Sequence, residues 1–476
     1  MASLWSICKL LFALLHLASA LSFRPATDSQ THHPQPEIIE RDVAIIGGGS
    51  SGTYSAIRLQ QQGHSVALIE KENRLGGHVN TFVDPPTGGT FDYGVIILVN
   101  VSIVRDYFQY LDTPLGKYTG FVPGMNTLYA DFAAGASAPA PNDTLAEADA
   151  VPRYARLLQD QYPYLASGFH IPKPVPEELL IPYGDFLAQR NLSALAYTAW
   201  YIDEGVGNAL AQPALYMLKY YNLLQVEGIN YGFVNAGNNY QGLYDTALRK
   251  LGNATNAFLN SCIDRITRST RGVEVQFTTP TGRKIVRAKK LVMTIPPLLS
   301  SLKPFFDLTP TETSLFGQYN SSYIWDAIVN NTGIPGTVEV QNRDPEAPDG
   351  IPALPAAYAF VPSPVGGVHA TWYSSPHYLS DEQVKTDILQ SVAQIQKAQK
   401  YSSAATPEIV EFHSHNPYEL TVSLDAIKEG FYDKVNALQG QLNTYWTGAA
   451  WESHDSTAIW NFTEYEILPK LIQSLH

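Results

Sequence analysis

An α/β fold, in which a parallel-sheet domain is interrupted by an inserted α+β lobe, is predicted by three features of this 476-residue sequence. Val43 to Ile46 is a short apolar run that breaks into Gly47, Gly48 and Gly49, as a buried parallel strand does on entering a tight turn. A helix and a second strand follow, ending at Glu70. Strand patterns then disappear for more than a hundred residues and return after residue 262, so the sheet domain is discontinuous.

The opening unit has a specific use. Thr53 to Gln62 contains no proline or glycine, and Ala56, Ile57 and Leu59 share one face while Arg58 and three glutamines share the other. Ser65 to Ile69 is the second strand. In Gly47-x-Gly49-x-x-Gly52 the first glycine turns the chain, the second admits a pyrophosphate against bare backbone, and the third lets helix and strand pack closely. Phosphate then sits at the positive end of the helix dipole. Glu70 ends the second strand, where a carboxylate accepts hydrogen bonds from ribose hydroxyls and repels a 2′-phosphate. Ser51 in the turn and Lys71 beside the acid are assigned to the same site. The pattern therefore predicts a Rossmann-type dinucleotide site; the alternative is a βαβ unit whose glycines serve packing alone.

Arg74-Leu75-Gly76-Gly77-His78 comes next, and Asp92-Tyr93-Gly94 follows a glycine-rich hairpin at Pro85 to Thr90. This resembles the flavin amine oxidase superfamily, of the glutathione reductase type of Rossmann fold. The resemblance implies that Arg74, Gly76 and Gly77 bring the chain past FAD. Most relatives carry a second arginine where this chain has His78.

Residues 1 to 20, with Lys9, the apolar run Leu10 to Leu17 and Ala18-Ser19-Ala20, read as a secretory signal peptide cleaved after Ala20. The run is shorter than the roughly 20 apolar residues a bilayer requires, which counts against an uncleaved anchor. No stable membrane insertion is expected after cleavage, and residues 21 to 40 are read as a flexible leader. Sequons at Asn100, Asn142, Asn191, Asn253, Asn320, Asn330 and Asn461 fit a glycosylated protein of the secretory pathway, secreted or held in an endomembrane lumen. Cys8 leaves with the signal, so Cys262 is expected to lack an intrachain partner. A formal charge of −13 and the absence of a basic run argue against nucleic acid. No oligomeric state and no metal site is assigned.

From Asn100 to Leu224 the pattern is mostly helical, at Tyr154 to Tyr164, Ile181 to Arg190, Ala194 to Val206 and Ala214 to Leu224, with prolines as punctuation. The Ala-, Pro- and Gly-rich stretch Ala133 to Ala150 reads as a surface loop. Tyr197, Trp200, Tyr201, Tyr216, Tyr220 and Tyr221 are read as core packing, or in part as the wall of an apolar pocket. Strands follow at Cys262 to Ile266, Val273 to Thr278, Lys284 to Ala288 and Leu291 to Thr294. In the relatives a residue matching Ile263 binds adenine through its backbone. Strands near Ile324 to Val329, Ala356 to Val361 and Val368 to Tyr373 and a helix from Asp381 to Lys400 complete the insertion.

Many amine oxidases place a lysine on the strand at Ile324 to Ile328; this chain offers Tyr323, Trp325 and Asp326 instead. In the superfamily the closing segment, here Tyr445 to Thr457, runs as a strand into Gly448-Ala449, then a loop, then a helix pointing at the flavin pyrimidine edge. Asp455, Ser456 or Thr457 is thus the cap, and their backbone N–H groups are implied flavin contacts. With PVPEELLIPYGDFL and the leading signal, the pattern is most similar to the β-cyclopiazonate dehydrogenase family of fungal FAD-dependent oxidoreductases. The resemblance implies FAD, held non-covalently, and an apolar small-molecule substrate. Residues 41–99, 225–300 and 440–476 are assigned to FAD binding, and 100–224 and 301–439 to substrate binding.

The reaction expected is hydride transfer from an activated C–H to flavin N5, with cyclisation of the product. Trp325, His369, Tyr373 and Tyr418 are put forward as catalytic, and His377, His413 and His415 are also considered as bases. His454, like His78, is read as a cofactor contact. Three rivals stand beside this reading: a nicotinamide-dependent reductase, for which a second glycine fingerprint is missing; a flavin amine or amino-acid oxidase; and a non-redox FAD-binding isomerase or scaffold.

Overall fold

The computed structural model describes residues 35–141 and 144–476. The signal segment, most of the leader and the Asn142 sequon lie outside them. The first strand, β1 (Glu37–Ile46), starts earlier than its apolar run. Glu37 to Glu40, assigned to the leader, pair in register with Lys284 to Arg287, so the exposed half of β1 is held by backbone hydrogen bonds rather than burial.

Helix α1 (Ser50–Gln61) follows the glycine turn and β2 (Val66–Ile69) returns beside β1 in parallel. The sheet order is Ala257–Phe258, β2, β1, Gly282–Met293, Gly272–Thr279 and Cys262–Ser269, with Thr444–Trp446 pairing in parallel with Leu291 to Met293. Parallel strands buried on both faces must read as continuous apolar runs, and Val43 to Ile46 and Val66 to Ile69 are all buried. Cys262, at the head of its strand, is not free, against the expectation that rested on removal of the first 20 residues.

The inserted part has two pieces. Short helices, among them α2 (Ala196–Ile202), pack into the same apolar core as the first sheet. The second piece is a seven-stranded sheet ordered Glu408–Ser414, β3 (Tyr323–Asn330), β4 (His369–Ser375), Ala356–Pro362, Val338–Asn342, Asn126–Asp131 and Ala136–Ala138. The last two strands fall in the stretch read as mostly helical. Ala136–Ala138 and the first turns of the helix Thr144–Gln161 replace the loop expected at Ala133 to Ala150, since small residues fit a tight hairpin and Ala is the best helix former. One face of this sheet carries its own core against the helix Asp381–Gln399; the other faces the first domain. Among the described residues no helix is long and apolar enough to cross a membrane.

Candidate active site

The glycine turn is built for backbone approach. A Cβ on Gly52 would lie 1.9 Å from the Gly47 carbonyl oxygen, and one on Gly77, at φ +56, would lie 2.9 Å from the Gly49 Cα. No side chain caps α1 at Gly49, and its first turn carries no acid. That leaves N–H groups and the positive helix end for an anionic ligand. Glu70 accepts from the Gly48 N–H at 2.5 Å and the Glu72 N–H at 2.7 Å, which pins it beside the turn. A carboxylate has lone pairs left for ribose hydroxyls. The side chain of Lys71 is exposed and pairs with Glu72 at 3.4 Å. Ile263 lies two residues beyond Ser261, whose N–H donates to the Glu70 carbonyl at 2.9 Å.

Arg74 is a brace. It donates to Gln241 Oε1 at 2.9 Å and to Asn80 Oδ1 at 2.7 Å, fixing the loop of Gly76, Gly77 and His78 against the helix Tyr240–Lys250. Asn80 in turn donates to Asp326 Oδ2 at 3.0 Å, and the His415 ring lies 2.8 Å from that oxygen. Asp326 thus joins the cofactor loop to β3 and to the turn carrying His415.

The closing segment comes back onto the glycine turn. A Cβ on Gly448 would sit 3.3 Å from Ser51 Oγ, and the next residue is Ala449. Of the three expected caps it is Asp455 that caps α3 (Ser456–Phe462), accepting from the Thr457 N–H at 2.7 Å. That N–H, implied as a flavin contact, is therefore already engaged, because a side chain two residues back reaches it first. The Thr457 hydroxyl accepts from the Val99 N–H at 3.3 Å. Arg58 of α1 grips Glu464 beyond α3 with two hydrogen bonds, at 2.9 and 2.7 Å.

Between these parts lies a cavity of about 350 Å³. Ile96, Tyr118, Phe121 and Trp372 supply apolar wall, and His78, His415, Tyr418 and His454 form an aromatic cluster. His454 stacks on Tyr418 with ring centroids 3.7 Å apart, and His78 lies 4.5 Å from His415. Burial pushes His78 well below the ordinary histidine value and His454 down to about 3, so both are neutral rings.

Three of the four residues put forward as catalytic are elsewhere. Trp325 and Tyr373 belong to the core on the opposite face of the second sheet, where Trp325 donates to Asp381 at 3.0 Å and Tyr373 to Asp387 at 2.8 Å. Strand side chains alternate, so Trp325 facing one way sends Asp326 the other. His369 is buried at the far end of β4 against Thr332. Tyr418 and His415 line the cavity, whereas His377 is exposed and His413 is 40% exposed beside Glu411. Ser50, Asn80, Asp203, Glu204 and the orientation of Asp326 were not singled out from the sequence. A lone acid inside the apolar strand YIWDAIVN was the available signal for Asp326, and two acids ending an apolar helix were the signal for Asp203 and Glu204.

The family model for an NAD(P)-binding Rossmann-like domain matches residues 45–112. The FAD-dependent oxidoreductase oblC of Cochliobolus heterostrophus is 38% identical over 487 aligned positions, covering 100% of both chains. The β-cyclopiazonate dehydrogenase of Aspergillus flavus is 32% identical, covering 92% of this chain and 94% of its own. The chain belongs to the fungal FAD-dependent oxidoreductases. It is an FAD-dependent enzyme of that family, and the bare glycine turn, the uncapped α1 and the acid at the end of β2 fit the cofactor. Solved structures show the same fold: a fatty acid isomerase from P. acnes (TM-score 0.71, 21% identity, 89% of this chain and 97% of that one) and putrescine oxidase bound to putrescine (TM-score 0.64, 14% identity, 91% and 100%).

Proposed function

We propose that this oxidoreductase dehydrogenates an apolar polycyclic intermediate of fungal secondary metabolism, at a C–H beside nitrogen or an allylic C–H, with cyclisation of the product inside the cavity. The observation that supports this reading best is the pairing of an apolar wall at Ile96, Tyr118, Phe121 and Trp372 with a polar dyad of His415 and Asp326, the acid standing on the strand where many amine oxidases carry lysine. FAD, when bound, accepts the hydride leaving the substrate carbon. The chain does the rest. The apolar wall excludes water and orients the reacting carbon. His415 donates its Nε2–H to Asp326, which leaves the other ring nitrogen basic and able to take the proton released as the product forms. Asn80 holds Asp326 from the cofactor side, so the proton acceptor and the flavin loop share one hydrogen-bond network.

Deleting the gene in its host is expected to accumulate a precursor richer by two hydrogens. Added anaerobically to the purified holoprotein, that precursor bleaches the flavin, and His415→Gln slows bleaching by about 10²- to 10⁴-fold. A flavin left unbleached by the precursor would favour the scaffold reading, and peroxide released from simple amines would favour an amine oxidase. Routing through the secretory pathway belongs to the same proposal: Asn100, Asn191, Asn253 and Asn320 are exposed, and an endoglycosidase should sharpen and shift the protein on a gel.

A further inference from the structure

One wall of the cavity is formed by Asp203 and Glu204, two acids that neither the proposed proton transfer nor the cofactor cradle uses. Asp203 is 3% exposed, and neither of its carboxyl oxygens has a hydrogen-bond partner. The Gln225 Oε1 beside it is unpartnered as well. Turning that amide over brings its N–H to one Asp203 oxygen and leaves the other for a ligand. The placement is rigid. Asp203 follows α2 and its N–H bonds the Ala199 carbonyl at 3.0 Å, while the Gly205 N–H donates to the Tyr358 hydroxyl at 3.2 Å and Gln212 Nε2 to the Val206 carbonyl at 2.8 Å. These bonds fix the backbone on either side of the two acids.

The chemistry of the wall selects its ligand. Asp203, Glu204, Asp326 and Asp455 all line the cavity, and among the described residues no lysine or arginine does. An anionic ligand would find no counter-charge there. Burial pushes both Asp203 and Glu204 well above the usual carboxyl range, and the negative end of α2 acts in the same direction on Asp203. A buried carboxyl in its neutral form offers one O–H donor and a carbonyl acceptor, and leaving them unmade is costly.

We propose that Asp203 and Glu204 are the polar anchor of the substrate cavity and bind a neutral, carbonyl-bearing molecule by donating O–H hydrogen bonds to its carbonyl oxygen. This rests on the proposed dehydrogenation for the reaction but not for the binding. A carbonyl held in this way acidifies the C–H bonds next to it, which eases loss of the proton in that reaction while the hydride leaves from a neighbouring C–H.

Calorimetric titration of the purified holoprotein with three bicyclic probes of equal size tests the anchor: 1-decalone, 1-aminodecalin and decalin-1-carboxylate. The ketone is expected to bind at least tenfold more tightly than the amine or the carboxylate. Asp203→Leu should weaken ketone binding about tenfold, while Asp203→Asn, whose amide still donates, should stay within about threefold. If Asp203→Leu does not fold, Glu204→Leu against Glu204→Gln gives the same comparison. Tighter binding of the amine, failure of all three probes to bind, or equal losses in the Leu and Asn variants would each overturn the anchor. A ketone that binds as expected beside a flavin that the accumulated precursor does not bleach would instead overturn the dehydrogenation and leave the anchor standing.

Discussion

Ser50 and Ser456 share a hydrogen bond of 2.9 Å between their hydroxyls, across 406 positions of the chain. One residue begins the helix of the glycine turn and the other begins the helix that closes the site. The bond is therefore a direct measure of whether the two ends of the cofactor cradle are joined. Ser456→Ala is expected to cost about 1 kcal/mol of stability, the net worth of one hydrogen bond. Its effect on cofactor retention should be larger. In a guanidinium titration the variant should release flavin at a lower denaturant concentration than the one at which its circular dichroism is lost, whereas in the parent chain the two transitions should coincide.

Gly52 leaves no room for any side chain. With its Cβ placed 1.9 Å from the Gly47 carbonyl oxygen, Gly52→Ala must drive the turn away from α1, and the N–H groups that face a pyrophosphate move with it. The protein is expected to purify without flavin absorption and to melt at a lower temperature, the destabilisation being on the order of 1–3 kcal/mol. Retention of a full flavin spectrum would show that the turn does not carry the phosphates.

Much of this was written in the chain and some could not be. The run VAIIGGG and Glu70 mark their own structure because a buried parallel strand, a turn and a helix start are local events, each with a local composition. The alternation of Trp325 and Asp326 is also local, but which of the two faces the cavity depends on the helix Asp381–Gln399 covering the other side of the sheet, a contact between distant segments. His369 and Tyr373 failed as catalytic residues for that reason: a histidine or tyrosine on a strand carries no label for the side on which the cofactor lies. His78, His415 and His454 come from three separate stretches, and only folding reveals that they form one cluster.

His369 gives the fold a definite response to acid. Burial holds its ring down to about 4 from an ordinary value of 6.5, and its Nε2 has no partner. As pH falls below 6.5 the unfolded chain takes up a proton that the folded chain refuses, so stability falls with pH until about pH 4, where the folded ring is protonated too. Across that window the loss is about 3 kcal/mol at roughly 1.4 kcal/mol per pH unit. His454, held down to about 3, acts in the same direction. Denaturant unfolding at a series of pH values should show this slope, and His369→Gln should flatten it; an unchanged slope in the variant would place the acid sensitivity elsewhere.

Lys219 and Glu452 form an ion pair whose side chains are 1% and 2% exposed. Lys219 also donates to the Leu165 carbonyl at 2.9 Å, and Glu452 accepts from the Gly168 N–H. Burial pushes the lysine down and the glutamate up, and the attraction between them opposes both shifts. Removing one partner strands the other in a medium that cannot solvate it, so Lys219→Met should cost about 3–5 kcal/mol. Adding Glu452→Gln should recover most of that loss, because the amide oxygen still accepts from the Gly168 N–H while the stranded charge is gone. Glu452 lies two residues before His454 and three before the cap Asp455, so the single variant should also shift the flavin absorption band as that loop loosens. The double variant should move the band back. A Lys219→Met protein that is as stable as its parent, with an unaltered flavin spectrum, would mean that the pair neither holds the fold nor positions the loop.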